Sequence, residues 1–273
     1  MWMILPTIIA GVSCYLLLII VFNKELPNNL MSPDIDPKSA IKDGFGAKFG
    51  LIMLGLCLLL LSLAPILNLD MGLICFVFAL LLFGKDVYFD IRQRRLNEKE
   101  QGAILPLKLT TAKNTLSRMP WKIMPFVFGM FVLVDILSQS GWMELFASNL
   151  ANVQNNAGIM GSVFIMTFLS ALACNIMNNQ PMTILFTQML QSSSFVTSSS
   201  IIQASMFGLI MGSNFGANFT LIGALAGIMW SNISKEKGIA ISYKQFAKYG
   251  FIIMPLVVAL ASLVLSLEFV FWI

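Results

Sequence analysis

The sequence has no histidine and very little charge. Asp, Glu, Lys and Arg make up 11% of its 273 residues, whereas 58% are hydrophobic. Soluble domains carry about 25% charged residues. This chain therefore lacks the means to coat a water-facing surface, which weighs against a soluble enzyme, a disordered protein and a nucleic-acid binder. Without histidine, the usual proton shuttle and the commonest metal ligand are both missing. There is also no acidic pair or catalytic triad. Neither an enzyme nor a metal site is expected, and no cofactor beyond a coupling ion, proton or sodium. Cysteine is scarce too: Cys14, Cys57, Cys75 and Cys174 stand singly in apolar runs with no CxxC spacing. They read as small hydrophobes rather than as a thiol site. The net charge of +4 is small and lies in the loops.

What the chain has in quantity is long apolar runs. A helical crossing needs about 20 apolar residues, and such runs cover 3–22, 49–67, 121–140 and 249–272, with a shorter one at 71–84. Residues 3–22 read as a span, because no basic residue precedes them and no cleavage pattern follows. Between the runs lie polar stretches at 23–48 (with Pro27, Pro33 and Pro37), 85–118, 141–156 and 235–248. The 85–118 stretch carries Lys85, Arg92, Arg94, Arg95, Lys99, Lys108, Lys113 and Arg118. By the positive-inside rule it is a cytoplasmic basic loop, and 23–48 and 235–248 fall on the same side. Both chain ends are then outside. The expected class is an all-α polytopic membrane protein, a single membrane domain over 1–273.

The region between 157 and 233 does not divide into ordinary spans. Residues 157–177 are long enough to cross, but Met182–Leu190 is too short to return. A re-entrant hairpin over about 157–192 and an interrupted helix over about 201–232 satisfy the parity. Ser192–Ser194 and Thr197–Ser200 read as an outside loop.

Three places carry candidate chemistry. Asn175, Asn178 and Asn179 lie at i, i+3 and i+4, on one helix face, with Gln180 and Thr183 close behind. Pro181 removes an N–H and pushes Gln180 out of helical geometry, so the helix should break where the amides gather. The second place is Gly212–Ala224, where Asn214, Asn218 and Thr220 interrupt an apolar run and Gly216 and Gly223 ease an unwound segment. Two such interruptions near one midplane point to a secondary-transporter site, where half-helix N-termini face an anion and free carbonyls hold a cation. The third place is Asp135, an acid inside the fourth span and hence a candidate for coupling. Glu268 reads as interfacial.

At these motifs the chain resembles the ion-transporter superfamily that includes arsenical pump membrane proteins, D-type sodium/proton antiporters and the melanosomal P protein. Met177-Asn178-Asn179-Gln180-Pro181 resembles the family's MNNxP hairpin motif. Gly216-Ala217-Asn218-Phe219-Thr220-Leu221-Ile222-Gly223-Ala224 resembles its GxNxTLIGA motif. Asn214 and Asn218 stand where the arsenite branch usually has Asp and Lys.

The resemblance implies a multi-pass inner-membrane permease for a small inorganic or carboxylate anion, arsenite or antimonite included. Sodium/proton antiport and dicarboxylate transport are the neighbouring alternatives. It covers the family's second inverted repeat, with 3–22 as the close of a first. The expectation is therefore a homo-oligomer or a partner chain supplying that first repeat, with a non-transporting subunit as the competing reading.

Overall fold

The computed structural model describes residues 3–25, 44–101, 110–119, 121 and 123–272. Among them it contains ten α-helices, one short 3-10 turn and no strand. Five helices are long and apolar enough to cross a bilayer: Ile4–Phe22 (α1), Gly44–Leu67 (α2), Met71–Gln101 (α3), Trp142–Met177 (α6) and Tyr243–Trp272 (α10). The protein is thus an all-α polytopic membrane protein. The chain forms two compact units, Met1–Asn28 with Lys122–Ile273, and Asn29–Trp121, where one domain over 1–273 is expected from the sequence.

In the Asn29–Trp121 unit, α2 and α3 form a helical pair joined at Asn68–Asp70. Asn68 takes φ 50° at the turn. The Asp70 carboxylate then accepts from the Leu73 N–H at 2.7 Å, which caps α3. The helix does not stop at residue 84, where the apolar run ends. It continues to Gln101, and Thr110–Arg118 forms a further helix, α4. The stretch 85–118, expected as a loop, is therefore largely helical. Its residues 85–101 contain neither Pro nor an interior Gly, and Arg94 pairs with Glu98 one turn on at 2.8 Å. The charge pattern reported where the chain leaves the apolar phase, not where the helix ends. Asp90 holds α4 in place by accepting from the N–H groups of Thr111 and Ala112 at 3.0 and 3.1 Å. The proline-rich stretch with Asp34, Asp36, Lys38, Lys42 and Asp43 lies outside the described residues, as do Lys108 and the Lys99 and Arg118 side chains.

In the other unit, α1 packs along α10. Ala10, Cys14 and Leu17 meet Val257, Val258, Ala261 and Leu265, and the Phe22 and Tyr249 rings sit 4.6 Å apart. The fourth span appears as α5, Ile123–Gln139. The expected loop at 141–156 is instead the first part of α6. Its buried residues Met143, Ala147, Leu150, Ala151 and Gln154 recur at helical spacing and seat it on the core. Gly158 interrupts α6 with φ 68° and ψ −170°, a conformation open to glycine alone. After Met177 the chain turns at Asn178 into Asn179–Gln191 (α7). The break thus falls at Asn178 and not at Gln180, which is helical; Pro181 sits in the first turn of α7, where its missing N–H has no intrahelical partner to lose. Asn175, Asn178 and Asn179 therefore do not share one helix face. Ser199–Phe215 (α8) follows, then the 3-10 turn Gly216–Asn218, an irregular stretch, and Leu225–Glu236 (α9). The expected basic loop at 235–248 is shorter than its charges suggest, since α9 reaches Glu236 and α10 starts at Tyr243.

Candidate functional site

The hairpin and the interrupted helix are held together by a stripe of glycine. Gly208, Gly212 and Gly216 recur every fourth residue along α8 and face Val163–Ala171 of α6. A Cβ on Gly208 would lie 2.9 Å from the Val163 carbonyl oxygen. On Gly212 it would fall onto Ser170 and the Thr167 carbonyl, and on Gly216 onto the Ala171 backbone. The two helices approach as closely as backbones allow, the contact small residues permit in membranes. A buried polar bridge lies on the same seam. The Gln154 side chain accepts from Ser205 Oγ at 2.6 Å, and Ser162 Oγ donates to the Gly158 carbonyl at 2.7 Å, which occupies the gap left by the α6 break. Sequence reasoning missed this bridge, although Gln154 falls on the apolar stripe of its helix, where an amide stands out.

This packing brings the tip of the hairpin against the break after α8. Asn175 Nδ2 donates to the Gly216 carbonyl at 2.7 Å, and Thr220 Oγ1 donates to Asn175 Oδ1 at 2.8 Å. Asn178 Nδ2 donates to the Ile222 carbonyl at 3.0 Å. The Asn179 backbone N–H donates to the Gly223 carbonyl, also at 3.0 Å. Interhelical bonds of this kind contribute on average about 0.6 kcal/mol each in membranes, so the four together stabilise the junction by roughly 2–3 kcal/mol. Gly223 must be glycine, because a Cβ there would sit 2.6 Å from Asn175 Oδ1 and collide with the Ala217 carbonyl. Asn178 itself adopts φ 74° and ψ 154°. Only glycine takes this region readily, at a cost of about 1–3 kcal/mol for other residues. Its side chain is bonded on both sides of the turn, to Ile222 and to the Gln180 N–H at 3.4 Å.

The bonds change one expectation. A half-helix N-terminus is expected to face an anion, and the one at α7 has no free N–H group with which to do so. Asn179 N–H is given to Gly223, Gln180 N–H to Asn178 Oδ1, and Pro181 has no N–H. The N-terminus of α9 differs: it starts at Leu225 after Ala224 without a side-chain cap. Leu225 lines a cavity of about 470 Å³ together with Asn178, Gln180 and Ile222.

The remaining candidates are spread around the junction. Asn179 is half-buried and Gln180 exposed. Among the described residues, neither side-chain amide has a hydrogen-bond partner. Thr183 Oγ1 donates to the Asn179 carbonyl at 2.7 Å and lies 3.0 Å from Ser213 Oγ. Asn214 is exposed and returns its amide to Ile210. Asn218 bonds the Asn214 and Phe215 carbonyls of its own helix. It lines a different cavity, of about 520 Å³, between α1 and α10. Asn218 and the pair Asn178 and Gln180 therefore do not share a hollow. Asp135 is exposed on α5, accepts from Gln139 at 2.7 Å, and joins none of these bonds. The contributions of Ser213 and of the Ile222 and Gly223 carbonyls left no mark in the sequence, since carbonyl direction is set by the tertiary fold.

The fold and the junction define a helical membrane protein in which two interrupted helices meet through amides. Residues 1–208 match the CitMHS citrate transporter family, and the chain belongs to that family. It is 29% identical over 266 residues to the arsenical pump membrane protein of Escherichia coli K12, covering 96% of this chain and 57% of the relative. To the Yersinia enterocolitica protein of the same description it is 29% identical over 272 residues, covering 97% and 58%. To an uncharacterized transporter of Mycobacterium tuberculosis it is 25% identical over 169 residues, covering 62% and 39%. The chain thus spans rather more than half the length of the arsenical pump relatives. No solved structure matches it.

Proposed function

We propose that the chain is part of a secondary active transporter that moves a small anion or metalloid oxyanion, such as arsenite or antimonite, across a bacterial inner membrane. The observation that carries this reading is the junction itself. Two helices are interrupted side by side, and their ends are tied by Asn175, Asn178 and Thr220. Buried polar groups in an apolar phase are costly, and irregular backbone at membrane depth is tolerated against protein or a wet cavity. The strained Asn178 adds weight, because strain of this kind gathers at ligand sites.

In this reading Asn175, Asn178 and Thr220 shape the junction, while the unpaired amides of Asn179 and Gln180 meet the solute, Gln180 from within the cavity it shares with the uncapped start of α9. Asp135 is assigned to coupling with a proton or sodium, at a distance from the solute. The relatives that share this chain's whole length are described as arsenical pump proteins, which favours the metalloid over a carboxylate anion. The chain spans just over half of those relatives, so transport is proposed for the assembled protein of which this chain forms part.

The test is metalloid efflux in cells that express the chain from its native locus, so that any partner is present. Asn179→Ala should lower efflux at least tenfold at an unchanged level of membrane-inserted protein. Efflux equal to that of the unaltered chain would remove Asn179 from the site. Asp135→Asn should leave solute binding intact and abolish the dependence of efflux on the ion gradient.

A further inference from the structure

We propose that the groove between α7 and α8 is a wet access route by which a small, uncharged-walled path leads a hydrogen-bonding solute to the junction. The proposal rests on the functional reading above and adds residues that reading does not use. The groove has a volume of about 240 Å³; its α7 wall carries the polar row Thr183, Thr187 and Gln191, and its α8 wall is apolar, Ile210 included, except at Ser213 and Asn214. At the inner end Thr183 touches Ser213 beside the hairpin tip. At the outer end Gln191 is the last residue of α7. With a rise of 1.5 Å per residue the polar row is about 12 Å long.

Thr183, Thr187 and Gln191 lie at i, i+4 and i+8, a single stripe along α7. Their hydrogen bonding sets them apart. A threonine in a helix ordinarily returns its hydroxyl to the carbonyl four residues back. Thr167 and Thr183 do so, at 2.7 Å each. The Thr187 hydroxyl does not, and among the described residues neither it nor the Gln191 side-chain amide has a hydrogen-bond partner. Asn214 gives its amide nitrogen to Ile210 and keeps its side-chain oxygen unpaired. An unpaired hydroxyl or amide facing lipid costs about 1–3 kcal/mol on protein scales. A row of such groups is stable when water, or a solute replacing water, supplies the missing partners. The lining carries no charged side chain, so the route selects for hydrogen-bonding capacity and size rather than for charge.

The experiment measures thiol labelling rather than transport. The four native cysteines are replaced, and single cysteines are introduced as Thr187→Cys and Ile210→Cys on opposite walls of the groove. Leu172→Cys, on the exposed apolar side of α6, serves as the reference. A membrane-impermeant, sulfonate-bearing methanethiosulfonate reagent should label both groove positions at least tenfold faster than the reference. Two results would overturn the proposal. Labelling by a lipid-soluble maleimide alone would show a lipid-filled groove, and labelling by neither reagent would show one sealed by protein. Efflux by Asn179→Ala is read separately. Rapid groove labelling with unchanged efflux would remove the solute site and keep the route, whereas lost efflux with unlabelled groove positions would do the reverse.

Discussion

Gly212→Leu is expected to abolish the folded hairpin unit rather than to weaken it. The new Cβ alone would fall onto Ser170 and the Thr167 carbonyl, and these are backbone and short side-chain atoms with no freedom to retreat. Overpacking a core costs about 1–3 kcal/mol where neighbours can shift, and more where they cannot. Folding margins are about 5–15 kcal/mol, and α8 packs on α6, α7 and α10, so a wedge in its last turn, against α6, disturbs the whole unit. The yield of monodisperse protein after detergent extraction should fall tenfold or more. Gly129→Leu on α5 is the control, since nothing lies within 4 Å of a Cβ there. Equal yields for the two variants would mean that α6 and α8 are not in backbone contact.

The second large effect is expected at Asn175. Its side chain accepts from Thr220 and donates to the carbonyls of Gly216 and Ala171. Asn175→Ala leaves the buried Thr220 hydroxyl without this partner, at a cost of about 1–3 kcal/mol, whereas the Gly216 carbonyl still accepts from the Phe219 N–H at 3.1 Å. A fall in stability of about 1–3 kcal/mol is expected from that principle, accompanied by loss of efflux. Asn179→Ala, which breaks no bond among the described residues, should lose efflux with stability unchanged. The contrast separates a residue that builds the junction from one that meets the solute. If Asn179→Ala unfolds and Asn175→Ala does not, the two roles are exchanged.

These two positions also mark how far the sequence could be read. The cluster of Asn175, Asn178 and Asn179, a break close to Pro181 and the glycine recurrence on α8 are local patterns, and local patterns are visible in a linear sequence. Charge was a poorer guide. It located the ends of apolar runs correctly, yet the helical stretches 85–101 and 142–157 went unread, because a helix is free to run on through polar residues while its backbone bonds are satisfied. The stripe Met143, Ala147, Leu150, Gln154 carried the missing signal. What no sequence pattern reveals is which carbonyl faces which amide. The capture of the α7 N-terminus by Gly223, the turning of Asn218 towards α1 and α10, and the Gln154–Ser205 bridge arise only when three helices have packed.

The account depends on the hairpin tip lying against the break after α8, and a cross-link at Asn175 and Thr220 tests this most directly. Both positions become cysteine in a background lacking the native four; Cys174 in particular must go, since its sulfur lies 3.4 Å from Asn175 Nδ2. A protease site is placed in the 192–198 connection. A direct disulfide requires Cβ atoms about 3.5–4.5 Å apart, closer than two side chains joined through a hydrogen bond ordinarily hold theirs, so a short bis-methanethiosulfonate reagent links the two cysteines. After this treatment and cleavage in the membrane, the two fragments should migrate as one species without reductant and separate when it is added. Fragments that separate under both conditions would place the tip and the break apart.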